Sequence, residues 1–203
     1  MRAMLWMILG VWMTTLAWAG DVPLGSQAPD FRLPDVVSGR VVTRDELAAT
    51  RPLLVVFLCR HCPFVQHVLP GLSRLAQDYA QAKLAIVGIS ANDPAAYPAD
   101  APSSLKEMAQ QAGWTFPVLF DESQAVAQAY GAGFTPDFFL FDADHRLVYH
   151  GRFDATRPGS AEPLTGADLR AAIDAVLAGT SVPTSQPPSF GCSIKWKPGH
   201  RHE

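Results

Sequence analysis

Two cysteines stand three positions apart in the segment Cys59-Arg60-His61-Cys62, between an apolar β-branched run and an amphipathic run. A thiol is a useful nucleophile only as its thiolate, and the N–H groups and dipole of a helix N-terminus favour that form. A helix is predicted to begin at or near this pair, so Cys59 is expected at its N-terminus. Arg60 and His61 add positive charge beside it. The pattern therefore predicts a lowered pKa for Cys59 and a redox centre.

In such a centre the first sulfur attacks the substrate and the second resolves the mixed disulfide that forms. Cys62 lies one helical turn after Cys59, which is near enough to close a small disulfide, and it is expected to point further into the protein. We therefore predict that Cys59 is the attacking thiolate and that Cys62 is the resolving thiol.

Two other uses of the cysteine pair stay open on the residues alone. One is an inert local disulfide, although a strand-to-helix junction is an uncommon place for one. The other is a zinc or copper site, for which the chain offers Cys192 and histidines such as His67 as further ligands. Haem attachment is excluded, because it requires a histidine directly after the second cysteine, where this chain has Pro63.

The first twenty residues have the composition of a secretory signal peptide. Arg2 carries their positive charge, an uncharged apolar span follows to about position 16, and an Ala-Trp-Ala cleavage site ends at Ala19. We expect cleavage after Ala19; a retained membrane anchor is the alternative, since the segment is only a little shorter than a bilayer span. Both outcomes place the rest of the chain outside the cytoplasm, in the periplasm, where disulfides persist.

Length and composition indicate one ordinary globular domain after the signal peptide. The chain has 203 residues, of which 48% are hydrophobic and 17% charged, and its formal net charge of −3 would not attract nucleic acid. Such a chain buries a core without disulfides. We predict a signal peptide over 1–19, a domain over 20–180 and an extension over 181–203 without regular structure, because the extension has no hydrophobic periodicity.

The hydrophobic pattern places the cysteine pair between a strand and a helix. PLLVVFL at 52–58 is a continuous apolar run, typical of a strand buried on both faces. After the pair, apolar residues recur at helical spacing to about Ala82, with a kink expected at Pro70.

Strands and helices then alternate before a hairpin and a last helix. Strands joined through helices are expected to be parallel, and the hairpin adds antiparallel strands. The fold class is therefore α/β, with a mixed central sheet and helices on both faces. The other predicted elements are an extended arm that turns at Ser38-Gly39, strands at 84–90 and 116–120, helices from a Ser104 capping box, from Asp121 and from Thr165, and a hairpin over 137–154.

Thr135-Pro136 stands directly before the hairpin, where a proline interrupts pairing unless the strand is only beginning. A cis bond there would turn the backbone and leave the Thr135 carbonyl and N–H free to pair with an extended substrate. From the residue pattern alone, a trans proline at the start of a strand is the expected form.

Together these features resemble the thioredoxin-like superfamily. The GSQAPDFRLPD arm and the helical insertion from Ser104 to Gly113 resemble its alkyl hydroperoxide reductase/thiol-specific antioxidant (redoxin) branch. CRHCPFV, TPDFFLFD and GCSIKWK resemble a bacterial group of exported or cytosolic thioredoxin-family proteins. The likeness runs from about Gly25 to Lys197.

The resemblance implies a thiol–disulfide oxidoreductase that acts on protein thiols or disulfides with an unidentified redox partner and no bound cofactor. It also implies a cis bond at Thr135-Pro136, facing the cysteine pair. The charges at Arg60 and His61 would stabilise the thiolate and make the pair more oxidising than that of thioredoxin. The predicted catalytic residues are Cys59, Arg60, His61, Cys62, Thr135 and Pro136.

Three positions depart from the patterns of these relatives. Leu53 stands where thioredoxin has a buried aspartate, Phe134 where the bacterial group often has cysteine, and Arg60 where it commonly has asparagine. The proton acceptor for the second thiol is therefore open, with His67 and Asp137 as candidates.

Two alternatives belong to other activities. A peroxidase is the alternative within the same fold, and peroxiredoxins resemble P-x-x-x-T-x-x-C, whose threonine helps to hold the peroxide. Pro52 and Cys59 match that pattern, but Val56 replaces the threonine and cannot donate a hydrogen bond. A metal-binding protein that delivers copper to an exported enzyme is the alternative of a different class.

Cys192, in the GCSIKWK motif, has two interpretations. It could resolve or relay electrons from the pair, or it could be a buried free thiol, and we expect the buried thiol. His200 and His202 are expected to belong to a solvated basic tail rather than to a metal site.

Overall fold

The computed structural model describes residues 22–200. The predicted signal peptide over 1–19 and His202 lie outside the described residues. Between 22 and 200, no helix combines the length and the apolar character that a membrane crossing requires.

Nine strands and five helices are described, together with a 3₁₀ turn at Pro98–Asp100. The strands are β1 (Arg32–Pro34), β2 (Val41–Thr43), β3 (Leu53–Phe57), β4 (Ala85–Ser90), β5 (Val118–Phe120), β6 (Phe134–Thr135), β7 (Asp137–Phe141), β8 (Leu147–Gly151) and β9 (Cys192–Ser193). The helices are α1 (Arg44–Ala48), α2 (Pro63–Asp78), α3 (Pro102–Gln111), α4 (Ala125–Ala129) and α5 (Ala167–Leu177).

The central sheet has the strand order β5-β4-β3-β7-β8. β3 pairs in parallel with β4, and β4 pairs in parallel with β5. β7 runs antiparallel to both β3 and β8. The prediction of a mixed sheet with a hairpin at one edge is therefore confirmed, and β3, which leads to the cysteine pair, lies at its centre.

Helices cover both faces of the sheet, and each face has its own apolar core. One core includes Val68 of α2, Leu105 of α3 and Leu169 of α5. The other includes Ala48 of α1 and Ala127 of α4. All five residues of β3 are buried, because successive side chains point alternately into the two cores.

Helix α2 begins after the cysteine pair, not at it. Cys62 is the N-cap in an extended conformation, and Pro63 is the first helical residue, a position that suits the fixed φ angle of proline. Cys59 therefore lies three residues before the N-cap, which corrects the prediction that it occupies the helix N-terminus. The helix contains Pro70 and ends at Asp78, before the predicted end.

Three other helix starts differ from the predictions, the last by one residue, because Gly166 and not Thr165 is the N-cap of α5. α3 begins at Pro102 without a side-chain cap, so the predicted capping box at Ser104 is wrong, because proline at the first position starts the helix earlier. The N-cap of α4 is Gln124 rather than Asp121. The Asp121 carboxylate still accepts a 2.9 Å hydrogen bond from the Ala127 N–H.

The C-terminal extension contains a strand, which differs from the prediction of no regular structure there. β9 pairs antiparallel with β6, and Thr135 is opposite Cys192. The backbones approach so closely that a Cβ atom at Gly191 would lie 2.1 Å from the Thr135 carbonyl oxygen. A two-residue strand has no periodic pattern to detect.

The division of the chain at 20–180 and 181–203 stays a prediction.

Candidate active site

Thr135 contacts both sulfurs of the cysteine pair. Cys59 Sγ lies 3.2 Å from the Thr135 hydroxyl oxygen, and Cys62 Sγ lies 3.1 Å from the Thr135 carbonyl oxygen. The peptide bond between Thr135 and Pro136 is cis, which confirms the form that the family resemblance implied. The structure thus brings together four of the six predicted site residues, namely Cys59, Cys62, Thr135 and Pro136.

The sheet register sets this juxtaposition. β7 begins at Asp137, opposite Phe57, the last residue of β3. The residues just before β7 and just after β3 therefore meet at the same edge of the sheet. Pro136, which has no N–H to donate, stands outside the ladder, as expected for a proline beside a central strand.

Arg60 and His61 turn their side chains toward acidic partners. Arg60 Nη1 lies 2.8 Å from a carboxylate oxygen of Glu107. The His61 ring contacts the Asp100 carboxylate through Nδ1 and stacks on Tyr97 with a centroid distance of 4.9 Å. Both residues lie beside the pair, and the positive charge of Arg60 is compensated there by Glu107.

Asp100 is a site residue that the sequence prediction missed. Its carboxylate is completely buried and accepts hydrogen bonds from the backbone N–H groups of Arg60 (2.7 Å) and His61 (3.0 Å) and from the Asn92 amide (2.8 Å). It belongs to a proline-rich loop that also contains Asp93. Nothing in the spacing distinguishes the two aspartates, so the sequence held no specific signal for it.

The pKa of Cys59 shifts opposite to the prediction. The Cys62 sulfur, burial and the Asp100 carboxylate raise the pKa of Cys59. Conversely, the hydrogen bond from Cys59 lowers the pKa of Cys62, and the N–H groups of Val65 and Cys192 act in the same direction. These donors outweigh the burial of Cys62, which alone would raise its pKa. The cause is local, since Cys62 and not Cys59 is the helix N-cap.

The two candidate proton acceptors have other partners. His67 Nε2 lies 2.8 Å from the Thr156 hydroxyl oxygen. Asp137 Oδ1 lies 3.0 Å from His150 Nε2 and accepts a hydrogen bond from the Ser189 hydroxyl. Asp100 is instead the carboxylate that the structure places beside the pair.

The third cysteine also lies at this site. Cys192 is partly exposed, whereas Cys59 and Cys62 are completely buried. The thiol and the backbone N–H of Cys192 lie close enough to the Cys62 sulfur to lower the pKa of Cys62. Burial and the Cys62 sulfur raise the pKa of Cys192. Cys192 is a free thiol, but it is partly exposed rather than buried as expected, and it lies against the redox pair.

One cluster among residues 22–200 has the geometry for a metal ion. The sulfur of Cys59, a ring nitrogen of His61 and a carboxylate oxygen of Asp100 all lie within 4.8 Å of one another. Cys192 and His67, the ligands predicted from the sequence, are not part of it.

The position that would hold peroxide is apolar. Val56 is completely buried within β3 and pairs with Phe138 of β7. Its side chain offers no hydroxyl group to a peroxide oxygen, so no observation at this site favours the peroxidase alternative.

A cysteine pair that leaves a central strand and meets a cis-proline at the same sheet edge is the arrangement of the thioredoxin-like fold, and the chain is a thiol–disulfide oxidoreductase of that fold. It belongs to the AhpC/TSA family, which it matches over residues 24–150.

Two solved structures are similar to this chain in fold and sequence, and a curated relative carries the name of this class. An uncharacterized conserved protein from Geobacillus kaustophilus is 48% identical with a TM-score of 0.85, covering 87% of this chain and 94% of that one. A hypothetical protein from Sinorhizobium meliloti 1021 is also 48% identical with a TM-score of 0.85, covering 89% and 98%. The thiol-disulfide oxidoreductase ResA of Bacillus thuringiensis (strain Al Hakam) is 24% identical over 62% of this chain and 67% of its own length.

Proposed function

We propose that the protein exchanges disulfides with protein thiols or disulfides outside the cytoplasm through Cys59 and Cys62. Cys59 attacks a substrate disulfide, so that a mixed disulfide forms and one substrate thiol leaves. Cys62 then attacks the Cys59 sulfur, which closes the Cys59–Cys62 disulfide and releases the second substrate thiol. The observation that carries this proposal is the contact of both sulfurs with Thr135, next to a cis-proline.

Attack by Cys59 requires the loss of its proton. Asp100 is the buried carboxylate beside that sulfur, and four donors from Arg60, His61 and Asn92 hold it in place. These donors occupy the lone-pair positions of both carboxylate oxygens, so Asp100 acts on Cys59 through its charge and not as the proton acceptor.

The groups around Cys62 also affect the redox potential of the Cys59–Cys62 pair. Stabilising a thiolate favours the reduced form of a cysteine pair, so the lowered pKa of Cys62 supports a more oxidising pair than that of thioredoxin. Equilibration with glutathione should therefore give a potential above about −270 mV, the thioredoxin value. A potential below that value would contradict the electrostatic argument.

Trapping of mixed disulfides tests the mechanism. Cys62→Ala should accumulate protein partners bound to Cys59, because the resolving thiol is gone. They should be released by dithiothreitol and absent from Cys59→Ala/Cys62→Ala. If Cys59→Ala traps the same partners and Cys62→Ala traps none, the two roles are reversed. If neither variant traps a partner, exchange with proteins is wrong.

Export is tested separately. The proposal rests on the signal-peptide pattern that ends at Ala19. Protein isolated from the periplasmic fraction should begin at Gly20 by mass spectrometry. An uncleaved chain in the membrane fraction would support the anchor, and a full-length chain in the cytoplasm would contradict export.

Metal delivery is the second candidate, favoured by the cluster of Cys59, His61 and Asp100. Reduced protein dialysed against copper or zinc should retain one ion per chain if this candidate is correct. Retention should then be lost in Cys59→Ala and kept in Cys192→Ala, whose sulfur lies outside the cluster. Absence of retention favours disulfide exchange alone.

A further inference from the structure

The C-terminal strand occupies the edge at which an extended substrate would pair. β9 forms an antiparallel ladder with β6, and Cys192 is opposite Thr135. The pairing continues beyond β6, since the Ile194 N–H donates to the Gly133 carbonyl at 3.1 Å. The chain thus places a cysteine of its own where a substrate cysteine would reach the redox pair.

The alternation of side chains along this strand directs the Cys192 thiol inward. Ser193 is exposed, whereas Cys192 is partly buried and packs against the core cluster that contains both Cys59 and Cys62. Ile194 is buried as well, at 3% exposure, in the core on the other face of the sheet. A shift of one residue would turn the thiol to solvent.

The three sulfurs also differ in access. Cys59 and Cys62 have no exposed surface, whereas Cys192 is partly exposed. With β9 in place, a soluble dithiol or a protein reductant can therefore reach Cys192 but neither member of the pair, so a substrate would reach Cys59 only when β9 has moved away from β6. A thiol that passes electrons from an external reductant to the buried disulfide must be both exposed and next to the pair, and Cys192 meets both conditions.

We propose that Cys192 is a third redox cysteine, which takes over the disulfide from the buried pair by attacking Cys62 and presents it at the surface for reduction. The inference rests on the proposed function for the Cys59–Cys62 disulfide that Cys192 receives.

The step is an exchange within one chain. The Cys192 thiolate attacks Cys62 Sγ, the Cys62–Cys192 bond forms, the Cys59–Cys62 bond breaks, and Cys59 leaves with the electron pair. The proton that Cys192 loses is matched by the proton that Cys59 takes up. The substrate disulfide that oxidised the pair is the only oxidant used, and an external dithiol then reduces Cys62–Cys192.

The test removes the competing disulfide. Cys59→Ser, incubated with oxidised glutathione, should lose both remaining thiols and yield a linked Cys62–Cys192 peptide by mass spectrometry without reduction. The same link should form when a Cys59→Ala chain is used, which guards against a folding defect of one variant. If both variants are folded by circular dichroism and keep Cys62 and Cys192 unlinked, the proposal is wrong.

A matched control moves the third thiol by one residue. In Cys59→Ser/Cys192→Ser/Ser193→Cys the thiol lies on the exposed side of β9, so it should not link to Cys62. Equal linking in this control would overturn the proposal, because a mobile tail and not the strand register would then bring the sulfurs together.

A parallel measurement separates this inference from the proposed function. Wild type and Cys192→Ser should both form the Cys59–Cys62 disulfide with oxidised glutathione. In wild type a fraction should appear as Cys62–Cys192, and reduction by a protein dithiol should be at least tenfold faster than in Cys192→Ser. If Cys59–Cys62 forms but the two reduction rates are equal, only the relay is wrong. If Cys59–Cys62 forms in neither protein, the proposed function is wrong as well.

Discussion

The Asp100 carboxylate lies completely buried near the sulfur of Cys59, the first cysteine of the pair. A buried ionised group is stable only when hydrogen bonds replace its lost hydration, and backbone N–H groups supply two of them here. The sequence placed two cations, Arg60 and His61, next to Cys59 and therefore predicted an easily formed thiolate. In the structure the Cys62 sulfur, burial and the Asp100 carboxylate raise the pKa of Cys59, so the shift has the opposite sign.

Neutralising Asp100 should therefore make Cys59 more acidic. In Asp100→Asn the negative charge beside the sulfur is removed, and we expect the pKa of Cys59 to fall by roughly one unit or more. The pH dependence of alkylation, read for the Cys59 peptide by mass spectrometry, measures this. Asp144→Asn, which removes an exposed carboxylate from the hairpin turn, should leave the midpoint unchanged. An unchanged or higher midpoint in Asp100→Asn would contradict the assignment.

The elements around the site were predictable to different degrees. β3 and α2 were predicted because their apolar periodicity is local and spans several residues. The N-cap at Cys62 was not, since a cysteine is an unusual cap and Pro63 at the first helical position decided the start. β9 was not predicted, because its two residues pair with β6 far back along the chain, and distant pairing has no local pattern.

Asp154 joins the end of the sheet to the last helix. Its carboxylate accepts hydrogen bonds from the Thr156 hydroxyl (2.6 Å) and from the N–H groups of Thr165 (2.9 Å) and Gly166 (2.7 Å), where α5 begins. Burial alone would raise the pKa of Asp154, but these bonds outweigh it and lower the pKa. The ionised form therefore stabilises the start of α5.

Replacing Asp154 should cost stability in a pH-dependent way. Asp154→Ala should lose about 1–3 kcal/mol of unfolding free energy at neutral pH, measured by urea denaturation. Because the folded pKa lies below the unfolded one, near 3.9, the contribution is complete above that value and disappears as the pH falls through the folded pKa. Exposed Asp144→Ala should change stability by less than about 0.5 kcal/mol. A pH-independent loss would show that the carboxylate charge is irrelevant.

Gly191 sets the spacing of the β6–β9 ladder. In Gly191→Ala the new Cβ atom would lie 2.1 Å from the Thr135 carbonyl oxygen, so the strand must move away. We expect faster hydrogen exchange at the Ile194 N–H and a lower yield of the Cys62–Cys192 disulfide in a Cys59→Ser background.

Gly133→Ala is the control for this change, since a Cβ atom there meets nothing within 4 Å. It should leave both the exchange rate and the disulfide yield unchanged. Equal behaviour of the two variants would mean that the close approach at Gly191 does not hold the strand.

At the scale of the whole molecule, the chain covers its own redox centre. The C-terminal segment crosses back over the sheet edge, where Gln186 binds the Val148 carbonyl (2.7 Å) and Ser189 binds Asp137 before β9 begins. The sequence predicted the sheet, its two helical faces and the cis-proline from pattern and resemblance together. It did not predict the cover, because a segment rich in proline and serine has the composition of a solvated tail.

Removing β9 should expose the sulfurs of Cys59 and Cys62. A chain that ends at Ser189 lacks β9 but keeps the contacts of Gln186 and Ser189, so the domain should stay folded by circular dichroism. We expect alkylation of Cys59 and Cys62 to become at least tenfold faster at pH 7, because both sulfurs are completely buried in the full chain.

A chain that ends at Lys197 keeps β9 and is the matched control. Its cysteines should react at the rate of the full chain. If the shorter chain also reacts at that rate, another element and not β9 shields the sulfurs.

The β6–β9 ladder also bears on which substrates the enzyme accepts. A segment tethered beside its own docking edge competes at an effective concentration in the millimolar range. Any incoming polypeptide binds only the fraction of molecules in which the edge is vacant, and its apparent affinity falls by that fraction. Weak and non-specific partners would thus be rejected, while a sequence that pairs better than Cys192–Ser193 would be admitted. Selectivity in this protein would then be encoded in its own C-terminal residues.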